Sequence, residues 1–370
     1  MKFDVFYENI IKESASDKNY HNDFNINQLN CLFRPEKLPV TWELTERLLA
    51  FSKSAGNFRP SPDTLLVLEA LSKKNHFMQI IIAPAFTGQF SREVSPGMLR
   101  NAFKAIGFDG MVEAAVFADI LTLKEALEFD ANIKAEGDFQ LASCCCPMWI
   151  SMLKKLYGTL MPHVPATVSP MIAAGRTIKI LHPGSVTVFV GPCLAKKAEA
   201  READLAGAID FVLTFKETME LFAILGIDIK QMEDTEKEFS SAAGRNYAWS
   251  GGVCEAVRNT VERLNPNRSI PMKTQKASGV PECRKMLDEI AKGELKANFY
   301  EGMGCAGGCV GGPRSIIDKT AAKESVSEYG AKAKYKTPID NPYVIELLHR
   351  LGFDTTDSLM RDNEFFTRHF

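Results

Sequence analysis

The 370-residue chain holds 9 cysteines and 6 histidines, the side chains best able to bind metal or attack as nucleophiles. Three cysteines are adjacent (Cys144, Cys145, Cys146), two lie in a glycine-rich loop (Cys305, Cys309), and Cys193 follows an apolar run. Neighbouring cysteines pair poorly with one another, because the small ring they would close opposes an S–S dihedral of about 90°. Clustered thiolates point instead to metal binding or chemistry. One cysteine near 146, one at 193 and a CxxxC pair supply the four thiolates of a [4Fe–4S] cluster. Zinc also takes four cysteines, usually as two CxxC pairs, and there are none here. The histidines form no HxxxH or HExxH pair, so sulfur carries any metal. Glycines of Gly302-Met303-Gly304-Cys305-Ala306-Gly307-Gly308-Cys309 let backbone approach a bulky inorganic group and aim N–H donors at it. The spelling Gly302-x-Gly304-x-x-Gly307 also fits a dinucleotide fingerprint, but it comes late and cysteines interrupt it. Lys196, one helical turn past Cys193, can present a cation to an anionic ligand. Cys31, Cys254 and Cys283 read as ordinary thiols.

These groups need elements that gather them. From about residue 46, apolar runs rich in β-formers fall at 76–83, 111–116, 139–142, 185–190, 208–214 and 298–300. Between them lie helical patterns over 96–106, 121–133, 148–161, 169–181, 215–225, 254–264, 282–295 and 342–351. Such alternation predicts an α/β fold of mostly parallel sheets flanked by helices, in two lobes with the active site buried between them. Parallel sheets bind ligands beyond the carboxyl ends of their strands. Cys144 to Cys146, Cys193 and Cys305 each follow a predicted strand, so distant cysteines can meet at one edge. Residues 231–246 read as a surface loop and 319–337 as a polar, lysine-rich excursion. There is no internal repeat and no low-complexity tract. Hydrophobic residues make up 45% and charged residues 24%, which excludes wholesale disorder. A net charge of −2, without basic blocks, leaves no footprint for nucleic acid. No apolar run nears the ~20 residues of a membrane span, and the N-terminus lacks a signal peptide's pattern. The expected location is the cytoplasm, where thiols stay reduced.

Three segments in order carry a family resemblance: Ser143-Cys144-Cys145-Cys146-Pro147-Met148-Trp149, Pro192-Cys193-Leu194-Ala195-Lys196-Lys197-Ala198-Glu199, and Glu301 to Pro313. They resemble the signature motifs TSCCPxW, PCxxKxxE and ExMxCxGGCxxGG of the iron-only ([FeFe]) hydrogenase catalytic domain. The likeness runs from about Ile80 to about Pro342 and includes Leu121 to Glu128 and Gly251 to Ala256. It implies an H-cluster, in which a [4Fe–4S] cubane is joined through a cysteine sulfur to a diiron azadithiolate centre carrying CO and cyanide. By that resemblance Cys146, Cys193, Cys305 and Cys309 are the metal ligands, with Cys309 bridging the two halves. Cys145 is the thiol that passes protons, Lys196 donates to a cyanide, and Met303 packs near the bridging carbonyl. Ala83, Pro84 and Pro147 line the pocket. Glu125 and Glu128, at i and i+3 on a predicted helix and so on one face, match the proton-path carboxylates.

The chain departs from the pattern in places. Cys144 stands where the family usually has Ser, Gly191 where catalytic members carry Met, and Ala85 where many have Ser. Pro165 replaces a proton-path Ser, and Asn132 an outer Arg. Ferredoxin-like CxxCxxCxxxCP runs are missing; residues 1–45 read as an N-terminal extension without a cluster motif, 46–351 as the two-lobed H-cluster domain, and 352–370 as a C-terminal tail. The resemblance implies an oxidoreductase that interconverts H2 with protons and electrons. Its expected partners are ferredoxin or another electron-transfer protein, which feeds the cubane directly, and the hydrogenase maturation proteins. The broken relay leaves open a low-turnover H2-sensing protein, and an iron–sulfur scaffold is the third reading.

Overall fold

The computed structural model describes residues 43–54, 60–73, 75–142, 145–235 and 239–370. Most of the expected N-terminal extension, including Cys31, lies outside the described residues, as do Ser143 and Cys144. Two parallel sheets organise the chain. In the first the strand order is β2-β1-β4-β5, with β1 Met78–Ile82, β2 Gly110–Glu113, β4 Val186–Gly191 and β5 Phe211–Thr214. In the second it is β3-β7-β6, with β3 Gln140–Leu141, β6 Thr274–Ser278 and β7 Phe299–Met303. Every strand pairing in both sheets is parallel. The central strands are buried along their whole length, Met78-Gln79-Ile80-Ile81-Ile82 and Phe299 to Met303 alike, as strands covered by helices on both faces must be. One large apolar core wraps the four-stranded sheet, and two smaller clusters flank the three-stranded one.

The helix Ala114–Asn132 joins the two halves. It leaves β2 with no intervening loop and packs on the helices Pro170–Leu181, Ala242–Arg245 and Gly252–Leu264. Apolar residues surround it on nearly all sides, the pattern of a helix buried in a core. The strand expected over 111–116 ends at Glu113; Ala114, Ala115 and Ala118 favour helix, and Val116 is carried along. Residues 231–246 are not wholly a surface loop. Ser240, Ser241 and Ala243 to Arg245 are buried, and Ala242–Arg245 is helical. Within the stretch 319–337, Lys319–Ala331 is a helix whose Ala322, Val326, Tyr329 and Gly330 form a narrow buried stripe. Strand β6, unforeseen, is a largely polar edge strand. Residues 352–370 pack on the body. Phe366 is fully buried, and Arg176 Nη1 donates to the carbonyls of Glu364, Phe365 and Thr367. Among the described residues no helix is long and apolar enough to cross a membrane.

A carboxylate ties the junction together. Asp119 is fully buried and accepts the Ser241 N–H (2.6 Å), the Ser241 hydroxyl (2.5 Å) and the Gly244 N–H (2.8 Å). A Cβ at Gly244 would stand 2.1 Å from the Ala115 carbonyl oxygen, so the close crossing requires glycine. Burial pushes the Asp119 carboxyl up to about 6 against the three hydrogen bonds that lower it. Asp119→Ala is expected to lose about 3 kcal/mol or more, by stranding three buried donors, measured by denaturant unfolding. The carboxyl binds its proton more tightly in the folded chain, so its contribution is full below about pH 4 and is lost as pH rises through about 6. The stability of wild type minus that of Asp119→Asn should fall by roughly 3 kcal/mol across that window.

Candidate functional site

Four loops leave the carboxyl ends of parallel strands and meet. Ala83 and Pro84 follow β1, Cys145 and Cys146 follow β3, Pro192 and Cys193 follow β4, and Gly304 to Cys309 follow β7. The pairings set this edge, since β1 and β4 run in register from Met78↔Val186 to Ile82↔Val190 and β3 lies beside β7 at Leu141↔Tyr300. The thiols of Cys146, Cys193, Cys305 and Cys309 are close enough that every pair among them repels as thiolates. Burial and these neighbours push the Cys305 thiol up to about 11 and hold Cys309 higher still. Cys193 is raised by burial, and the Lys196 ammonium opposes the shift. Four half-buried or buried thiols so placed call for a cationic centre that would draw off their protons together. Among the described residues no three His, Cys, Asp or Glu side chains close around a single ion.

The loop after β7 is shaped for close approach. Gly304 N–H donates to Cys146 Sγ at 3.3 Å. Gly308 has φ +93°, and a Cβ there would stand 2.6 Å from Ser250 N and 2.8 Å from Met303 Sδ. Glu301, buried in β7, accepts the Gly251 N–H at 2.6 Å and the Cys254 N–H at 2.8 Å, binding the amino end of the helix Gly252–Leu264. Cys254 and Cys283 are buried thiols directed at backbone carbonyls, Cys254 at Gln275 and Cys283 at Ala277 and Met303.

Beside the sulfurs lies a cavity of about 60 Å³, walled by Ala83, Pro84, Cys145, Phe189, Lys196 and Cys309. Burial raises the Cys145 thiol well above its usual range, and Cys146, Cys309, Glu301 and Glu125 add to the shift. Lys196 is buried, with Nζ 2.5 Å from Glu199 Oε2; Glu199 and the nearby thiols hold the ammonium charged against burial. Two of the expected residues are not among the cavity's walls. Pro147 is not among the walls: it opens the helix Pro147–Leu156 as its first residue. Met303 is buried behind the loop, against Gly308. The space beside Gly191 is taken by the Phe189 ring, 2.8 Å from where a Cβ would stand. Neither Phe189 nor Tyr247, which also faces the cavity, stood out in the sequence, because a buried aromatic in an apolar run carries no distinguishing pattern. Glu125 is fully buried on the Ala114–Asn132 helix, and Glu128, one turn on, pairs with Lys124 at 2.8 Å and faces a different cavity.

Two parallel sheets with a thiol cluster at their carboxyl edge define a class, that of the hydrogenase fold. The family model for the iron only hydrogenase large subunit, C-terminal domain, matches residues 76–313, and the chain belongs to that family. It is 25% identical over 296 residues to Iron hydrogenase 1 of Clostridium pasteurianum, which covers 69% of this chain and 51% of that protein. It is 31% identical over 231 residues to the cytosolic Fe-S cluster assembly factor NAR1 homolog of Schizosaccharomyces japonicus, covering 55% of this chain and 43% of that one. The chain thus spans about half the length of these relatives. Its fold is similar to a variant of [FeFe]-hydrogenase HydA1 from Chlamydomonas reinhardtii, with a TM-score of 0.66 over 89% of this chain and 99% of that one, at 19% identity.

Glu301→Ala should free two backbone donors at the cluster loop. The expected result is a loss of about 2–4 kcal/mol in unfolding free energy, with faster release of iron from the reconstituted protein.

Proposed function

We propose that the chain is a hydrogenase-type oxidoreductase that interconverts H2 with protons and electrons at an H-cluster. The observation carrying this reading is that Cys145, Lys196 and Cys309 wall one buried cavity while Cys309 also belongs to the group of four mutually repelling thiols. Cys146, Cys193, Cys305 and Cys309 would hold the cubane, with Cys309 shared with the diiron half. When bound, that cofactor supplies the iron at which protons and electrons combine. The residues around it do the rest. Lys196, charged because Glu199 balances it, offers the ammonium hydrogens it does not spend on that carboxylate to anionic ligands. Ala83, Pro84 and Phe189 keep water out and leave those interactions unscreened. Burial keeps Cys145 protonated, so its thiol can hand a proton inward and be reloaded by Glu125, with which it interacts electrostatically. Electrons enter at the half-exposed Cys305, whose loop lies near exposed Lys276, Lys319 and Lys323. Lys276 and Lys323 lie 5.8 and 5.1 Å from the Trp249 ring. These three lysines, set among the acidic Asp318 and Glu324, would offer contacts to an acidic electron carrier such as a ferredoxin.

A second reading, an iron–sulfur assembly role without the diiron half, is favoured by the likeness to the NAR1 homolog. A third, H2 sensing with little turnover, is favoured by Pro165 at the wall of the cavity that holds Glu128, where a side chain without donor or acceptor interrupts a relay.

Loading the protein with a synthetic diiron complex distinguishes them. Infrared CO and CN bands with H2 evolution support the catalyst. Bands that shift under H2 without turnover support the sensor, and a cubane that takes up no diiron complex supports assembly. In the loaded protein Cys145→Ala should keep the bands and lower turnover by about 10²-fold or more. After anaerobic reconstitution with iron and sulfide, Cys193→Ala and Cys305→Ala should lose most bound iron, whereas Cys254→Ala and Cys283→Ala should retain it.

A further inference from the structure

One wall of the cavity beside the sulfurs does more than exclude water. Phe189 lies on β4, opposite Ile81 of β1 and Val212 of β5, and is 4% exposed. Residues two apart on a strand share a face, so Phe189 and Gly191 point the same way. The ring leans forward over Gly191: a Cβ there would stand 2.8 Å from Phe189 Cε1, 3.2 Å from Cζ and 3.0 Å from the Ala83 Cβ. Carbon atoms pack best at about 3.5–4.0 Å, so the ring and a side chain at 191 exclude each other.

Backbone geometry does not ask for glycine at 191. The described glycines with positive φ lie elsewhere, and Gly191 closes β4 in parallel pairing with Thr214, a conformation open to any residue. What asks for it is the ring. The atoms that a side chain at 191 would meet belong to two walls of the same cavity, Phe189 and Ala83, so such a side chain would itself enter that space. The two positions compete for one volume beside Lys196 and Cys309, and this chain fills it from 189. About 60 Å³ remains, room for a few waters, behind walls that are mostly apolar, among them Ala114, Pro170 and Met171.

We infer that Phe189 is a specificity-determining residue: its ring, seated over Gly191, sets the room beside Lys196 and Cys309 and with it what the cavity admits. The identity of the main occupant, the diiron half, rests on the hydrogenase reading, which this deepens; the placement of the ring does not depend on it. An aromatic ring is broad and stiff, so a ligand pressed against it is held in fewer positions than one beside a flexible methionine. Shortening the side chain opens space that a packed core closes only in part. Valine suits the replacement, because its branched side chain keeps the preference of β4 for strand.

The test has two arms. Xenon reads the cavity without the diiron half. In the protein reconstituted with iron and sulfide, xenon NMR under gas pressure should show about tenfold tighter binding to Phe189→Val than to wild type, because an enlarged apolar cavity takes up the gas. In the second arm the synthetic diiron complex is added. Phe189→Val should load about tenfold faster than wild type and give shifted, broadened CO and CN bands, since the occupant has lost a flank. Phe189→Val/Gly191→Met moves the bulk from 189 to 191 and should return xenon affinity, loading rate and bands towards their wild-type values. A side chain that served only the core would leave the bands unmoved. Xenon binding and bands that are the same in wild type and Phe189→Val, or a double variant that behaves as Phe189→Val does, overturn the inference; CO and CN bands in the loaded wild type then leave the hydrogenase reading standing. Bands in Phe189→Val and none in wild type overturn the hydrogenase reading of this chain and bear out the ring as what keeps the diiron half out. If no variant takes up the complex, the hydrogenase reading fails and the xenon comparison alone decides on the ring.

Discussion

Parallel pairing is the constraint on which the rest of the molecule depends. When every strand of a sheet runs the same way, every loop that follows a strand leaves from the same edge. Ala83, Cys146, Cys193 and Cys305 are spread over more than two hundred residues of sequence, yet β1, β3, β4 and β7 deliver them to one place. Had either sheet been antiparallel, half of these groups would have been carried to the opposite rim. The helix Ala114–Asn132 then fixes the two sheets to each other, and the hydrogen bonds of Asp119 fix the helix to the segment that crosses it.

Gathering the thiols creates an electrostatic difficulty. Buried sulfur resists ionisation, and each neighbour adds to that resistance, so the bare site favours neutral thiols. Among the described residues the cation walling the small cavity is Lys196, and Glu199 holds it. The same low-dielectric surroundings keep Cys145 protonated beside the cavity. A single physical cause, burial, therefore raises Cys193, Cys305 and Cys309 and the Cys145 thiol beside them.

The legibility of the sequence followed this physics. Buried parallel strands are continuous apolar runs, so β1 and β4 were visible, and the cysteines just beyond strands could be placed at one edge without coordinates. Strand β6 escaped because an edge strand of Thr-Gln-Lys-Ala-Ser has no apolar run to recognise. The helix Lys319–Ala331 escaped because its buried stripe is one residue wide amid lysines and glutamates. At the site, residue types gave the sulfurs and Lys196, and family resemblance gave the pocket residues. Phe189 over Gly191, the paired N–H groups on Glu301 and the cavity shared by His163 and Glu128 are consequences of packing between segments far apart in sequence, which periodicity does not encode.

The order of strands in the smaller sheet has a consequence in time. β3 waits for β7, which lies more than a hundred and fifty residues later, and Arg176 waits for carbonyls from 364 to 367. On a ribosome adding ~5–20 residues per second, Cys145 and Cys146 emerge many seconds before Cys305 and Cys309 exist. The nascent chain carries free thiols through that interval, and a centre held by all four could be seated only after synthesis has passed the last of them. Insertion of a centre held by all four thiols would thus be post-translational by topology alone.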